Sequence, residues 1–193
     1  MKPTPPPGEV VWTEPRFRVR IHALPVRGGT QRRAFIEHPG AVVIVPVVPD
    51  GVVFIENRRW VVGQTLLELP AGGLAPGEDP AACALRELEE ETGLRAGRLE
   101  PLQSFFALPA YTTEVMHAFA AYDLTPTAQR LEPDEQITVH PLRTAEIRAR
   151  LAAGAFQDMK TLAVLSAWWA RDPSGPCGGT SRNQSSFDHP EAD

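Results

Sequence analysis

The chain has 193 residues, of which 42% are hydrophobic, and carries a formal net charge of −5. That length suits one domain with a core large enough to fold alone, and the acidic balance disfavours a broad nucleic-acid-binding surface. No run of about 18 apolar residues is available to cross a membrane, and the start MKPTPPPGE lacks an apolar signal segment. Only two cysteines occur, Cys83 and Cys177, without metal-ligand spacing, so a reduced, cytoplasmic setting is expected with Cys83 as a small core residue.

Residues 1–15 are Pro-rich and residues 171–193 polar and Gly/Pro/Ser-rich, so both ends are expected to be flexible. Between them, Arg16 to Leu24 alternates apolar and polar residues and Arg32 to Glu37 does so more weakly. With Gly28-Gly29 between the two runs, residues 16–40 read as an antiparallel hairpin. Ala41 to Val48 (AVVIVPVV) is continuously apolar, as a strand buried on both faces should be. Pro49-Asp50-Gly51 then turns the chain into a second strand, Val52 to Glu56, and Trp60 to Leu69 leads into a Gly/Pro-rich loop.

That loop opens a helix expected over Pro80 to Thr92. Asp79 suits the N-cap, Pro80 the first helical position and Gly93 the left-handed residue past the end. Ala84, Leu85 and Leu88 read as its buried stripe. Glu87, Glu89, Glu90 and Glu91 crowd its last turns, where the macrodipole favours cations. Glu87 and Glu91 form a like-charge i,i+4 pair that costs an isolated helix about 0.2–0.5 kcal/mol, and Glu90 lies beside them. A hard divalent cation with oxygen ligands converts that repulsion into coordination; a solvated acidic face is the plain alternative. Arg86 can pair with Glu90 four residues on, and Glu78 can hold Arg86 in turn.

The full pattern runs from Gly72 through Glu78, Arg86-Glu87-Leu88 and Glu90-Glu91 to Gly93-Leu94, and at every position it resembles the Nudix box. The resemblance to Nudix hydrolases implies an α/β fold: an α/β/α sandwich with a mixed central sheet over 41–170, preceded by an N-terminal antiparallel sheet used in dimerisation. It also implies cleavage, with Mg²⁺ or Mn²⁺, of the pyrophosphate in a nucleoside diphosphate joined to some other group. In that reading Glu87, Glu90 and Glu91 are metal carboxylates, joined by the backbone carbonyl of Ala71, and a homodimer shares its active sites.

Downstream, Leu99 to Ala107, Glu114 to Tyr122 and Glu135 to Leu142 read as strands, and Thr144 to Ala153 as a helix. A last helix is expected over Asp158 to Ala170, with Leu162, Leu165 and Trp169 on one stripe and the two tryptophans, Trp168 and Trp169, packing rather than binding ligand.

The sequences LELPAG (Leu67 to Gly72) and Pro109, at its distance beyond the box, resemble the ADP-ribose pyrophosphatase subgroup. Ala110 departs from that subgroup's usual glycine and Asn57 from its usual glutamine, while Tyr111 resembles a mark of enzymes acting on dinucleoside polyphosphates. The resemblance places Arg33, Arg59, Gly73, Pro109 and Glu114 against the substrate, each with an alternative role as an ordinary surface residue. Trp12 is a further candidate for stacking on a base. Within the acidic stretch Arg130 to Gln136, Glu135 is the expected base or additional metal ligand, acting beside Glu90 and Arg86, with Glu132 and Asp134 in reserve. The implied reaction gives AMP and ribose 5-phosphate. Other nucleotide substrates, and a module that binds without cleaving, stay open.

Overall fold

The computed structural model describes residues 3–133 and 135–171, so the expected tail from residue 172, Cys177 and Asp134 lie outside the described residues. The chain opens with an antiparallel three-stranded sheet in the order β1 (Glu9–Thr13), β2 (Arg18–Val26), β3 (Gly29–Glu37). The hairpin expected over residues 16–40 is therefore present, paired from Arg18↔Glu37 to Val26↔Gly29. One expectation fails: Glu9–Thr13, assigned to a flexible start, is a strand. It pairs Glu9 with Ile21 and Thr13 with Arg18, satisfying backbone groups along an edge of β2 that would otherwise be bare. Trp12 accordingly lies within β1 and is 61% exposed.

The second sheet has seven strands: β4 (Ala41–Val48), β5 (Gly51–Arg59), β6 (Gln64–Glu68), β7 (Ala71–Gly73), and, after helix α1 (Pro80–Thr92), β8 (Leu94–Phe106), β9 (Val115–Pro126) and β10 (Ile137–Arg143). Helices α2 (Thr144–Ala152) and α3 (Met159–Arg171) complete the fold. The order is β10-β5-β4-β9-β8, with β6 against β5 and β7 against β4. β4 and β9 run parallel and the other pairs antiparallel, so the sheet is mixed, as expected.

The apolar run of β4 explains the layers. Side chains of successive strand residues point to opposite faces, and Val42 and Ile44 pack with Cys83, Ala84 and Leu88 of α1. Val43 and Val45 pack instead with Ile147 of α2 and Val164, Leu165 and Trp169 of α3. Both faces of β4 are thus covered by helices, and the α/β/α sandwich follows. Two stripe assignments change. Leu85 is 41% exposed and Cys83 takes its place in the core, because the stripe facing β4 runs through 83, 84 and 88. On α3, Leu162 is 37% exposed and Val164 is buried in its stead. Among the described residues no helix is long and apolar enough to cross a membrane.

Both ends of α1 are closed by local chemistry. Asp79 accepts from the backbone N–H groups of Ala81 and Ala82, each at 3.1 Å, and Gly93 adopts φ +66°, the left-handed conformation that ends the helix. The carbonyls left over at the C-terminal end are taken by the segment after β9. Arg130 N–H donates to Glu90 O at 2.9 Å, and the Gln129 side chain donates to Glu91 O at 2.6 Å. That segment leads directly to Glu132 and Glu135. The buried face of α1 is testable by truncation: Leu88→Ala should lower stability by about 2–5 kcal/mol in urea unfolding. Leu85→Ala should change it by less than about 1 kcal/mol.

Candidate active site

Arg86 is the centre of the site. Its Nε and Nη2 donate to the two carboxylate oxygens of Glu78 at 3.0 and 3.1 Å, and its Nη1 reaches Glu87 Oε1 at 2.6 Å and Glu90 Oε2 at 3.0 Å. One guanidinium thus fixes three carboxylates, a geometry its planar fork allows. Glu78 also accepts from Ala75 N–H at 2.8 Å. Arg86 and that N–H together hold the Glu78 carboxyl down at about 2. The pairings expected of Arg86 with Glu78 and with Glu90 are both formed. Glu89, on another side of the helix, is neutralised differently: Arg95 and Arg130 reach it at 3.1 and 2.8 Å and lower its pKa.

Glu87 and Glu91 are buried, with 8% and 2% of their surface exposed. Burial raises the pKa of Glu87, and Arg86 opposes the shift. Glu91 is pushed up to about 8, chiefly by burial, while its hydrogen bond from Ala71 N–H at 2.8 Å pulls the other way; Glu87 and Glu135 add repulsion. At Gly72 the backbone comes so close that an added Cβ would sit 1.9 Å from the Glu87 carboxyl carbon. The glycine that opens the box is there to let this carboxylate in.

Each carboxylate is turned to its own donor, Glu87 and Glu90 to Arg86 and Glu91 to Ala71. Among the described residues no three acidic, His or Cys side chains already stand at metal-ligand spacing. The donor set still fits a hard divalent cation: hard oxygen ligands only, two of them buried carboxylates whose shared repulsion a double positive charge would cancel.

These groups open onto a cleft of about 1110 Å³ between the N-terminal sheet and the central sheet. The cleft forms where the edge of β4 changes neighbour, pairing with β7 at Ala41–Val43 and with β5 only at Val47 and Val48. Of the residues expected at the site, Arg59, Ala71, Gly73, Arg86, Glu87, Glu91 and Glu135 line it, while Glu90 does not and is joined to it through Arg86. Glu135 closes its own turn by accepting from Glu132 N–H at 2.9 Å. Arg59 pairs with buried Glu68 through Nε at 2.9 Å and Nη2 at 2.6 Å. Asn57, beside it, is 6% exposed and also lines the cleft.

Three expected substrate residues are not brought into the cleft of the single chain. Arg33 is exposed on β3 and donates to Gln31 at 2.7 Å, and Pro109 sits in the exposed turn between β8 and β9. Glu114 faces His38, its Oε1 at 3.8 Å from Nδ1. Tyr111 is 63% exposed and so is not a core aromatic. Conversely, the cleft is lined by Thr13, Glu14, Arg16, Phe17, His38 and Trp60, which the sequence reading passed over. Arg16 crosses the cleft to an ion pair with Glu132. The short apolar run Val10-Val11-Trp12 ahead of Pro15 was the available signal that ordered structure begins early.

The raised pKa of Glu91 has a definite sign. The folded state holds its proton between the ordinary carboxylate range and about 8, so stability is full below that range and falls as pH rises through it. The metal-free protein should therefore lose urea stability between about pH 5 and 8, and Glu91→Gln should flatten that slope.

Residues 37–162 match the model of the NUDIX domain. The ADP-ribose pyrophosphatase of Bacillus subtilis is 38% identical over 109 residues, 56% of this chain and 59% of that protein's length. The methanol dehydrogenase activator of Bacillus methanolicus is 33% identical over 166 residues, covering 81% of this chain and 90% of that protein. A crystal structure of an ADP compounds hydrolase superposes with a TM-score of 0.71 at 26% identity, over 91% of this chain and 97% of the other. The Gly72-to-Leu94 pattern, the sandwich that carries it and these matches agree: the chain belongs to the Nudix hydrolase family.

Proposed function

We propose that the protein hydrolyses the diphosphate of ADP-ribose and related nucleoside diphosphate sugars, giving AMP and ribose 5-phosphate. One observation carries this reading: the buried pair Glu87 and Glu91, with Arg86 behind it, opens onto a cleft of about 1110 Å³ that also presents Arg59. At about 1110 Å³ the cleft lies just above the ~300–1,000 Å³ range of small-molecule sites, roomy enough for a nucleotide sugar. The names of two of the three similar proteins, an ADP-ribose pyrophosphatase and an ADP compounds hydrolase, support it.

In this reading Glu87, Glu90, Glu91 and the Ala71 carbonyl would hold Mg²⁺ or Mn²⁺. The bound cation supplies neutralisation of the diphosphate and a lowered pKa for the attacking water. Arg86 keeps Glu87 and Glu90 aimed, and Arg59 with Gly73 positions the phosphates. Glu135, which lines the cleft and lies near enough to Glu87 and Glu91 to raise their pKa values, takes the proton from the attacking water. The new P–O bond forms as the bond from phosphorus to the bridging oxygen breaks, and the departing phosphate carries the charge away.

The N-terminal sheet presents Val10, Val11, Trp12 and Ile36, all more than a third exposed, and we assign it to pairing with a second copy of the chain. Arg33, Pro109 and Glu114, outside the single-chain cleft or at its rim, then act at a shared site. A cytoplasmic enzyme with no nucleic-acid or membrane partner completes the reading. Tyr111, which resembles a mark of enzymes acting on dinucleoside polyphosphates and is exposed, supports a second reading in which those are the substrates.

Turnover of ADP-ribose, GDP-mannose and diadenosine polyphosphates with Mg²⁺ or Mn²⁺ separates these readings. ADP-ribose should rank among the best substrates, and if it does not the assignment is lost. Glu87→Gln and Glu91→Gln should each lower kcat by about 10²-fold or more while circular dichroism stays native, the scale expected when a group acting mainly in the transition state is removed. Analytical ultracentrifugation should find a dimer, whereas a monomer at micromolar concentration rejects the shared site.

A further inference from the structure

Behind Arg59 lies a cluster of charges contributed by the far end of the chain. Glu68, on β6, is 1% exposed, and its two oxygens accept from Arg59. Lys160, in the first turn of α3, also donates to Glu68, and its Nζ reaches Asp158 Oδ2 at 2.8 Å. Asp158 caps α3, accepting at Oδ2 from Thr161 N–H at 3.0 Å and from Thr161 Oγ1 at 2.6 Å. Thr161 is fully buried, and its Oγ1 accepts from Leu69 N–H at 2.9 Å, which pins the start of α3 to the residue following Glu68.

The four charges balance, two cations against two carboxylates, and three of them are largely shielded from water. Side-chain exposures are 1% for Glu68 and 16% for both Lys160 and Asp158, whereas Arg59 keeps 40%. A buried carboxylate is tolerated when its charge and its hydrogen-bonding capacity are both matched. Lys160 and Arg59 do this together on Glu68, and Asp158 in turn fixes where Lys160 stands. Only the arginine has surface left for a ligand, and its surface faces the cleft that Glu87 and Glu91 line. A long side chain on a strand end would otherwise have several rotamers to lose on meeting a phosphate.

We propose that Lys160 and Asp158 are positioning residues: acting through Glu68, they hold the Arg59 guanidinium in the orientation that receives the substrate diphosphate. The proposal rests on the reading of Arg59 as a diphosphate ligand. It assigns to the start of α3, which does not line the cleft, a share in substrate affinity. Because Arg59 binds the diphosphate before and during the reaction alike, the effect falls on KM rather than kcat.

The test uses the full chain and steady-state kinetics with ADP-ribose and Mg²⁺. Lys160→Met should raise KM about tenfold with kcat changed less than about threefold, the scale of coupling between contacting charged groups. Lys160→Arg, which keeps a cation on Glu68, should bring KM back to within about twofold of the parent. In an Arg59→Gln background, Lys160→Met should raise KM no further, since the group it positions is gone. An equal rise in both backgrounds, or an unchanged KM in the parent, overturns the proposal. Should Lys160→Met fail to fold, Asp158→Asn carries the same cycle, with a KM rise that must again vanish in Arg59→Gln. If the parent enzyme does not cleave ADP-ribose, the substrate assignment fails alone. Calorimetric titration with ADP then reads the cycle, and equal ADP affinity with and without the Lys160 ammonium rejects the positioning role.

Discussion

The fork of Arg86 into Glu78, Glu87 and Glu90 is the contact on which the rest of the site depends. A helix that ends in four glutamates, with no basic residue in its own last turn, is locally unfavourable. Arg86 removes the repulsion among Glu78, Glu87 and Glu90 from within the box, and Arg95 and Arg130 remove that at Glu89 from outside it. Among the described residues Glu91 forms no ion pair; it is 2% exposed and held by the backbone N–H of Ala71. The helix thus concentrates its least compensated acidic groups at the floor of the cleft.

That concentration needs the sheet. The apolar alternation of β4 fixes α1 on one face and α2 with α3 on the other, which leaves α1 free to turn only its Glu87 and Glu91 side toward the strand edge. At that edge β4 exchanges one antiparallel neighbour for another, and the gap between them becomes the cleft. Gly72 then admits the Glu87 carboxylate against the backbone, and the segment after β9 docks on the last carbonyls of α1, bringing Glu132 and Glu135 to the rim. Packing of the core and placement of the acidic groups are one arrangement here, since the side of α1 that buries Cys83, Ala84 and Leu88 determines where its glutamates point.

What the amino-acid order decided unaided is what acts over one or two turns of chain. The limits of α1 followed from Asp79, Pro80 and Gly93; the Arg86–Glu90 pair from their spacing; the two-sided burial of β4 from its unbroken apolar run. These interactions join near neighbours, so the residues that make them can be read side by side. The helix stripe was legible only in part, because Leu85 and Cys83 are equally apolar and which one is buried depends on where β4 lies.

Only the tertiary structure decided the contacts between residues far apart in the chain. The short apolar run within Glu9–Thr13 marks order, but that it forms a strand depends on β2, whose edge β1 completes. Arg16 meets Glu132 across 116 positions, and Glu68 meets Lys160 across 92. Glu68 carries no sign of so distant a partner in its own neighbourhood; burial chooses it, because a carboxylate that folding removes from water must be met by whichever cation the fold brings beside it.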